Sequence, residues 1–448
     1  MRDSEGREVP RLCAETREID HVDDLLDFAD PTGTLAWLRR GDGIVALSGV
    51  GEPVFTLSED GATDLARIAR LAARWRAISD VAEVDDDVRV PGTGLVGFGA
   101  IAFDDRSSAP STIIVPSALV GRRAGRSWVT RIRRADAAYP ELPTGLAPWG
   151  AYWSATLGPG SLDPAAYQAA VHAALDAIAA GEVSKVVLAR DLRGTVPAGA
   201  DLRRLARALS TGYPDCWAFA VDGLIGASPE TLVTVSRGTV TARVLAGTTP
   251  RGADADADTL ASAALATSAK DQDEHLYAVR SVLGSLRSHT SALAASEQPF
   301  TLKLPNVWHL ATDVEGTLSG AASALDLVGA LHPTAAVAGT PTAAALAVID
   351  GLEPFDRGRY AGPVGWVDGT GDGEWAIALR CAQIGAPDAA TDASPDGAPD
   401  VGSPTPFSLP ATLPVVAHAG AGIVAGSDPE SELMETRVKF RPIVDALA

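Results

Sequence analysis

Between Val183 and Leu245 the chain runs through four apolar segments in succession: VSKVVLARDLRGTV, CWAFAV, GLIGAS and ETLVTVSRGTVTARVL. Runs of this length, rich in Val, Ala, Leu and Thr and punctuated by Gly, Pro and Asp, read as strands. Further on, YAGPVGWVD and EWAIALRCAQI are joined by GTGDG, a hairpin signature. Helices fall between these strand clusters. Asp163-Pro164 supplies an N-cap followed by Pro at the first helical position, Gly181 closes that helix, and Tyr167, Val171, Leu175 and Ile178 form its buried face. A long helix is expected from about Asp256 to Ala292, and a last one from Ser427-Asp428-Pro429-Glu430 to the C-terminus. Strands in meanders with helices between them imply an α+β fold: large mixed, mainly antiparallel sheets packed against outer helices.

The first part of the chain is less regular. GIVALSG (43–49) and TIIVP (112–116) read as strands. Asp64 to Ser79 places Leu65, Ile68, Leu71, Ala72 and Trp75 on one helical face. The turn-rich segment Ala147 to Ser161 reads as a connector. The expected organisation is therefore an N-terminal region, 1–158, packed on a second region, 159–446. The tract Gly385 to Pro410 is low-complexity and reads as a disordered loop inserted in a hairpin.

Charge narrows the function classes. The chain has 37 Lys+Arg and 57 Asp+Glu, for a net charge of −20. A body this acidic repels phosphate backbones and anionic membranes, so no nucleic-acid or membrane partner is expected. An anionic substrate would have to be held by local cations or a metal. Cys13, Cys216 and Cys381 are scattered and form no CxxC, which suits a reducing compartment. The charged N-terminus has no apolar signal core, and the nearest membrane-like run, Ala335 to Ile349, is broken by Gly339, Thr340 and Pro341. A cytoplasmic location follows as an expectation. Lysine occurs only at Lys185, Lys270, Lys303 and Lys439, so 37 − 4 leaves 33 arginines. Where this chain keeps Lys, the reason can be chemistry closed to Arg, since a buried amine loses its proton and a guanidinium does not.

Two glycine patterns mislead. Gly92, Gly94 and Gly97 satisfy GxGxxG, but FGAIAFDD follows and alternates like a strand, which argues against a dinucleotide site. AGAGIVAG (419–426) follows the strand LPVVAH and is read as a loop, its glycines either allowing positive φ or letting backbone N–H groups approach an anion.

Several side chains could carry chemistry, each with a plainer alternative. Lys185, in VSKVVLAR, shares a strand face with Val183 and Val187. It is either a strand-end guard against aggregation or a desolvated amine able to act as a general base. Glu230, after GASP, either caps a turn or, if buried, keeps its proton. Glu274 lies four residues after Lys270, the spacing of a surface pair. Glu432, Glu435, Thr436 and Lys439 share one face of the last helix, with Leu433, Phe440 and Val444 on the other. The Glu435–Lys439 spacing suits a solvent ion pair, and the paired carboxylates suit a hard cation such as Mg²⁺. Arg380 is either a snorkelling residue or a carboxylate clamp.

Taken in order, SKVVLAR, GASPE, RVLAGTTPRG, SAKDQDEH, LHPTAAVAGTP, EPFDRGRYAGPVGW, IALRCA, AGAGIVAGS and ESELMETRVK resemble the chorismate-utilising enzymes across most of residues 160–442. The N-terminal region resembles them only in GLVGFGAIAFDD. Within that family a lysine that activates water marks isochorismate and salicylate synthases, and Lys185 stands there. Aminodeoxychorismate synthases carry a nucleophilic lysine where this chain has Ala246, and salicylate synthases tend to a threonine where it has Ala336. The resemblance therefore implies an isochorismate synthase, with salicylate synthase as the alternative in the same class and a silent chorismate-binding protein as one from another. It further implies Lys185 as general base, Glu230 as general acid, Mg²⁺ bound by Glu274 and Glu435 with Glu432 ordering its waters, and substrate contacts from Gly247, Thr248, Ala336, Arg380, Gly420 and Lys439. Water as nucleophile needs no amidotransferase subunit, so a monomer is the expected state.

Overall fold

A computed structural model describes residues 8–60, 67–303, 307–320, 322–385 and 411–448. The expected insertion therefore lies, apart from Gly385, outside the described residues, as do Leu65 and the first turn of the helix expected from Asp64. That helix is present as Arg67–Ser79, with Leu71, Ala72, Trp75 and Ile78 buried.

Among the described residues the strands form two large sheets, of thirteen and ten strands. Every strand pair is antiparallel except Leu12–Ile19 with Glu83–Asp86, so the mainly antiparallel α+β expectation holds. The larger sheet runs through Lys185–Pro197, Thr412–Val424, Cys381–Ile384, Leu224–Ser228 and Trp217–Val221, then continues into N-terminal strands from Ala36–Arg39 onward. The smaller runs through Val307–Leu318, Thr239–Pro250, Thr231–Ser236, Gly373–Ile377 and Pro363–Asp368, then into Val96–Ala100, Ser111–Val115 and Phe55–Glu59. The first 134 residues thus supply hydrogen-bonded strands to both sheets.

One apolar cluster takes side chains from both sheets, including Trp37, Phe98, Phe219, Val233, Trp366 and Trp375. The Glu374 carboxylate is set into it. The indole N–H groups of Trp37 and Trp366 donate to one oxygen at 3.0 and 3.1 Å, and Arg123 donates to the other at 2.8 Å. A buried carboxylate with three donors has its desolvation offset, and here the bonds also tie the two sheets together. A second cluster lies under the helices Arg203–Gly212 and Pro429–Leu447, with Leu205, Leu209, Phe440, Ile443 and Leu447.

The helix of Asp163-Pro164 forms as expected: the Asp163 carboxylate accepts from the Ala166 N–H, and Gly181 has φ +78°. Four expectations need correction. The long helix of 256–292 is two helices, Ala255–Thr267 and Ala269–Leu286, followed by a strand, Thr290–Ala295. Ser268 breaks it with ψ 110°, and its hydroxyl accepts from the Asp271 N–H as the N-cap of the second helix. EWAIALRCAQI is two strands in different sheets, because Arg380 takes φ +49° and turns the chain between Gly373–Ile377 and Cys381–Ile384. AGAGIVAG is no loop up to Val424: Gly420 and Gly422 continue the strand Thr412–Val424. On the last helix, Thr436 joins Leu433 and Phe440 on the buried face while Val444 is exposed. The Thr436 hydroxyl accepts from Arg190 Nε at 2.8 Å, which makes that burial tolerable.

Candidate active site

Glu230 and Arg380 occupy two of the places where the chain leaves one sheet for the other. Pro229-Glu230 links Leu224–Ser228 to Thr231–Ser236, and Ala378 to Arg380 links Gly373–Ile377 to Cys381–Ile384. The two crossings are bonded to each other. The Ile377 N–H donates to the Glu230 carbonyl at 3.0 Å, and the Ala227 N–H donates to the Arg380 carbonyl at 3.1 Å. The Ser228 hydroxyl donates to the Ile377 carbonyl at 2.5 Å and accepts from the Glu230 N–H at 3.2 Å. Two side chains from sheet-to-sheet crossings are thereby aimed from a rigid frame, not from free loops.

The strand Lys185–Pro197 lies opposite Thr412–Val424, with Lys185 paired to Val424, Val187 to Gly422 and Ala189 to Gly420. A Cβ on Gly422 would stand 3.2 Å from Lys185 Cε, and one on Gly420 would stand 2.8 Å from the Leu188 carbonyl oxygen. The missing side chains leave a flat floor across which the Lys185 chain runs. The other edge of this strand is held by a buried pair from EPFDRG. Glu353 accepts from the Ala189 N–H at 2.7 Å, and Arg357 donates to the Val187 carbonyl at 2.7 Å while pairing with Glu353 at 2.6 Å. Ala336 is exposed in the turn that delivers Gly339–Thr340 to the same edge, where Thr340 pairs with Lys185.

Burial pushes the Glu230 carboxyl above its ordinary value, opposed by the positive charges of Lys185 first, then Lys439 and Arg380. The residue keeps some contact with solvent, so it faces a cleft while protein crowds it. Those four expected residues are therefore brought into one electrostatic neighbourhood. Arg380 is itself desolvated, which works against its charge. Lys439 donates to the Gly420 carbonyl at 2.9 Å and pairs with Glu435 at 2.5 Å, so the ion pair expected from the i,i+4 spacing forms, and it forms beside the glycine floor.

Glu432, one turn before Glu435, has its carboxyl raised by burial and by the Glu435 charge, with a Ser427 hydrogen bond working the other way. Two carboxylate groups repelling each other at the rim of a cleft fit a small hard cation. Among the described residues no group of three His, Cys, Asp or Glu is close enough to hold a metal without further ligands. Mg²⁺ asks for no such cage, since it keeps several waters and takes one or two carboxylates. Glu274 sits on the helix Ala269–Leu286 and Thr248 on the strand Thr239–Pro250; the side chains of both lie outside the described residues.

Gly247 is a bulge with φ +76°, where the register against Val307–Leu318 shifts, and a Cβ there would meet Asp271 at 3.2 Å. The next helix braces it: His275 Nδ1 meets the Ala246 carbonyl at 3.0 Å and Nε2 meets the Thr312 hydroxyl at 2.7 Å.

Two groups escaped the sequence reading. His309, paired in register with Thr248, is hydrogen-bonded to the Gly247 backbone; burial lowers its imidazole, and Lys185, Lys439 and Glu435 all act on it. Tyr360 is buried, its phenol raised by burial and sensing Arg380, and among the described residues its hydroxyl has no hydrogen-bond partner. Only strand pairing far apart in sequence could have exposed His309.

A family profile described as "Chorismate binding enzyme" matches residues 154–391 and 414–448. A Mycobacterium tuberculosis (strain H37Rv) protein with the provisional name isochorismate synthase MenF is 38% identical over 410 residues, covering 88% of this chain and 96% of that one. Isochorismate synthase DhbC of Bacillus subtilis is 38% identical over 297 residues, 64% of this chain and 68% of that one. The solved structure of MenF, the menaquinone-specific isochorismate synthase of Escherichia coli, superposes with a TM-score of 0.68 at 23% identity, over 97% of this chain and 95% of that one, a likeness of fold.

Proposed function

The chain belongs to the chorismate-binding enzyme family, and on that premise we propose that it is an isochorismate synthase, isomerising chorismate to isochorismate. In this reading Lys185 accepts a proton from a water molecule as the water oxygen bonds to C2. The ring C1=C2 and C5=C6 double bonds shift to C1=C6 and C4=C5. The C4–O bond breaks, and Glu230 gives its proton to the departing hydroxyl, which leaves as water. Lys185 has then gained a proton and Glu230 has lost one, so solvent must return both before the next turnover. An acid that donates at neutral pH must first hold its proton, and the observation that carries the proposal is the buried, upward-shifted Glu230 carboxyl among Lys185, Lys439 and Arg380.

Chorismate is a dianion meeting a protein of charge −20, so local positive charge is required. Arg380, Lys439 and the backbone of Gly247 and Gly420 are the groups proposed to bind it, with Thr248 and Ala336 beside them. Mg²⁺ would be held by Glu274 and Glu435, with Glu432 ordering its waters, and would supply charge for the ring carboxylate. The N-terminal region, 1–158, is read as family-variable framework and 159–446 as the catalytic part.

The test is to mix the protein with chorismate and Mg²⁺ and to separate the products. Isochorismate as main product is expected. Salicylate with pyruvate, ammonium-dependent anthranilate, or no turnover would each contradict the proposal.

A further inference from the structure

His418 has no part in the chemistry above. It lies two residues before Gly420 on the same strand face and directly opposite Asp191 in the register with Lys185–Pro197. Asp191 is fully buried and already satisfied by the N–H groups of Ser161 and Leu162 at 3.0 and 3.1 Å and by Arg193 at 2.8 Å. The imidazole stacks on the Tyr360 ring, with centroids 5.2 Å apart and planes 24° apart, and meets the Phe355 ring at 5.1 Å and 43°. Asp191, Arg357, Arg193 and Asp356 act on it electrostatically, but burial dominates and drives the imidazole well below its ordinary value, so the ring is neutral at working pH. A neutral ring can stack on its neighbour without a charge to solvate.

Tyr360 is the natural beneficiary. Its ring is packed, and its hydroxyl is not among the sealed polar atoms, finds no partner among the described residues and lies in the field of Arg380. A packed phenol with an open hydroxyl in the field of two guanidinium groups, Arg357 and Arg380, is arranged to meet an anionic ligand. We propose that His418 is a positioning residue for the isomerisation: by stacking on Tyr360 it fixes that ring so that the hydroxyl meets the bound substrate next to Arg380. This rests on the function proposed above.

The test is a double-mutant cycle on the full chain, following chorismate turnover. His418→Leu should raise KM for chorismate about three- to tenfold, the ratio an aromatic pair can supply, with kcat changed less than about twofold. His418→Phe keeps an aromatic face and should restore KM. In a Tyr360→Phe background, where no hydroxyl remains to aim, His418→Leu should change KM less than about twofold. His418→Gln, judged by the same criteria, replaces the leucine variant if that one does not fold. An equal KM rise in both backgrounds, no KM rise in either, or no rescue by Phe overturns the positioning role while leaving the isomerase reading standing. A wild-type protein that makes no isochorismate overturns both.

Discussion

In the proposed reaction the property of Lys185 that decides turnover is the ability to lose a proton. Lys185→Arg keeps the charge and nearly the length but cannot act as a base. It should therefore abolish turnover, by about a hundredfold or more, with an unchanged melting curve; activity near wild type would remove Lys185 from the mechanism. For Glu230 the proposed role requires the protonated state. Its carboxyl is raised in the folded protein, so kcat/KM should fall as pH rises through that raised value, and Glu230→Gln should lose the activity that this limb describes. A profile flat on the alkaline side would contradict the assignment. These two residues stood out in the sequence because each sits in a short motif, SKVVLAR or GASPE, and the structure brings them into one electrostatic neighbourhood. His309 and Tyr360 did not, because their relation to the cleft comes from long-range pairing and packing.

The elements explain why some boundaries were readable and others were not. Asp163-Pro164 and Asp428-Pro429 announce helix starts through caps acting within a few residues, and both were found. The break at Ser268 depends on one serine switching from interior to cap, which helical periodicity conceals. The switch of sheets at Arg380 depends on a positive φ that no apolar pattern signals. On the last helix, the ridge of Glu432 and Glu435 predicts a metal effect. Added Mg²⁺ should raise the melting temperature, and Glu435→Gln should shrink that rise and increase the Mg²⁺ needed for half-maximal activity about tenfold. An identical Mg²⁺ response in both proteins would clear Glu435 of the role.

The hairpin turn after Pro363–Asp368 offers a second test. Burial raises the Asp368 carboxyl to about 7, opposed by donation from Thr370, while the neighbouring Asp372 charge adds to the rise. The folded state therefore binds a proton that the unfolded chain, titrating at the ordinary 3.8, has released, and stability falls as pH rises from about 4 through 7. Buried His332, lowered to about 4, works oppositely between 4 and 6.5, so the cleaner window lies above 6.5. Melting temperatures from pH 6.5 to 8 should decline in wild type and decline less in Asp368→Asn; parallel slopes would contradict the assignment.

On the scale of the whole molecule, two mainly antiparallel sheets share a core pinned by Glu374, and two of the chain's crossings between them carry Glu230 and Arg380. The α+β class was legible because meanders of apolar strands leave few other ways to bury their faces. The joint role of the first 134 residues in both sheets was not, since Ala36–Arg39 and Val96–Ala100 find partners, Trp217–Val221 and Pro363–Asp368, that lie far along the chain. Among the described residues no helix is long and apolar enough to cross a membrane. With a net charge of −20, the proposed dianionic substrate would have to be recruited by the few cations around Glu230, so its capture should depend on them.

In the proposed reaction a water molecule attacks C2 while the C4 oxygen departs. Turnover of chorismate in ¹⁸O-labelled water, read by mass spectrometry of the isochorismate, tests that directly. The account predicts one labelled oxygen, in the C2 hydroxyl, incorporated at every turnover. Unlabelled isochorismate would mean that the hydroxyl migrates within the substrate, and would contradict it.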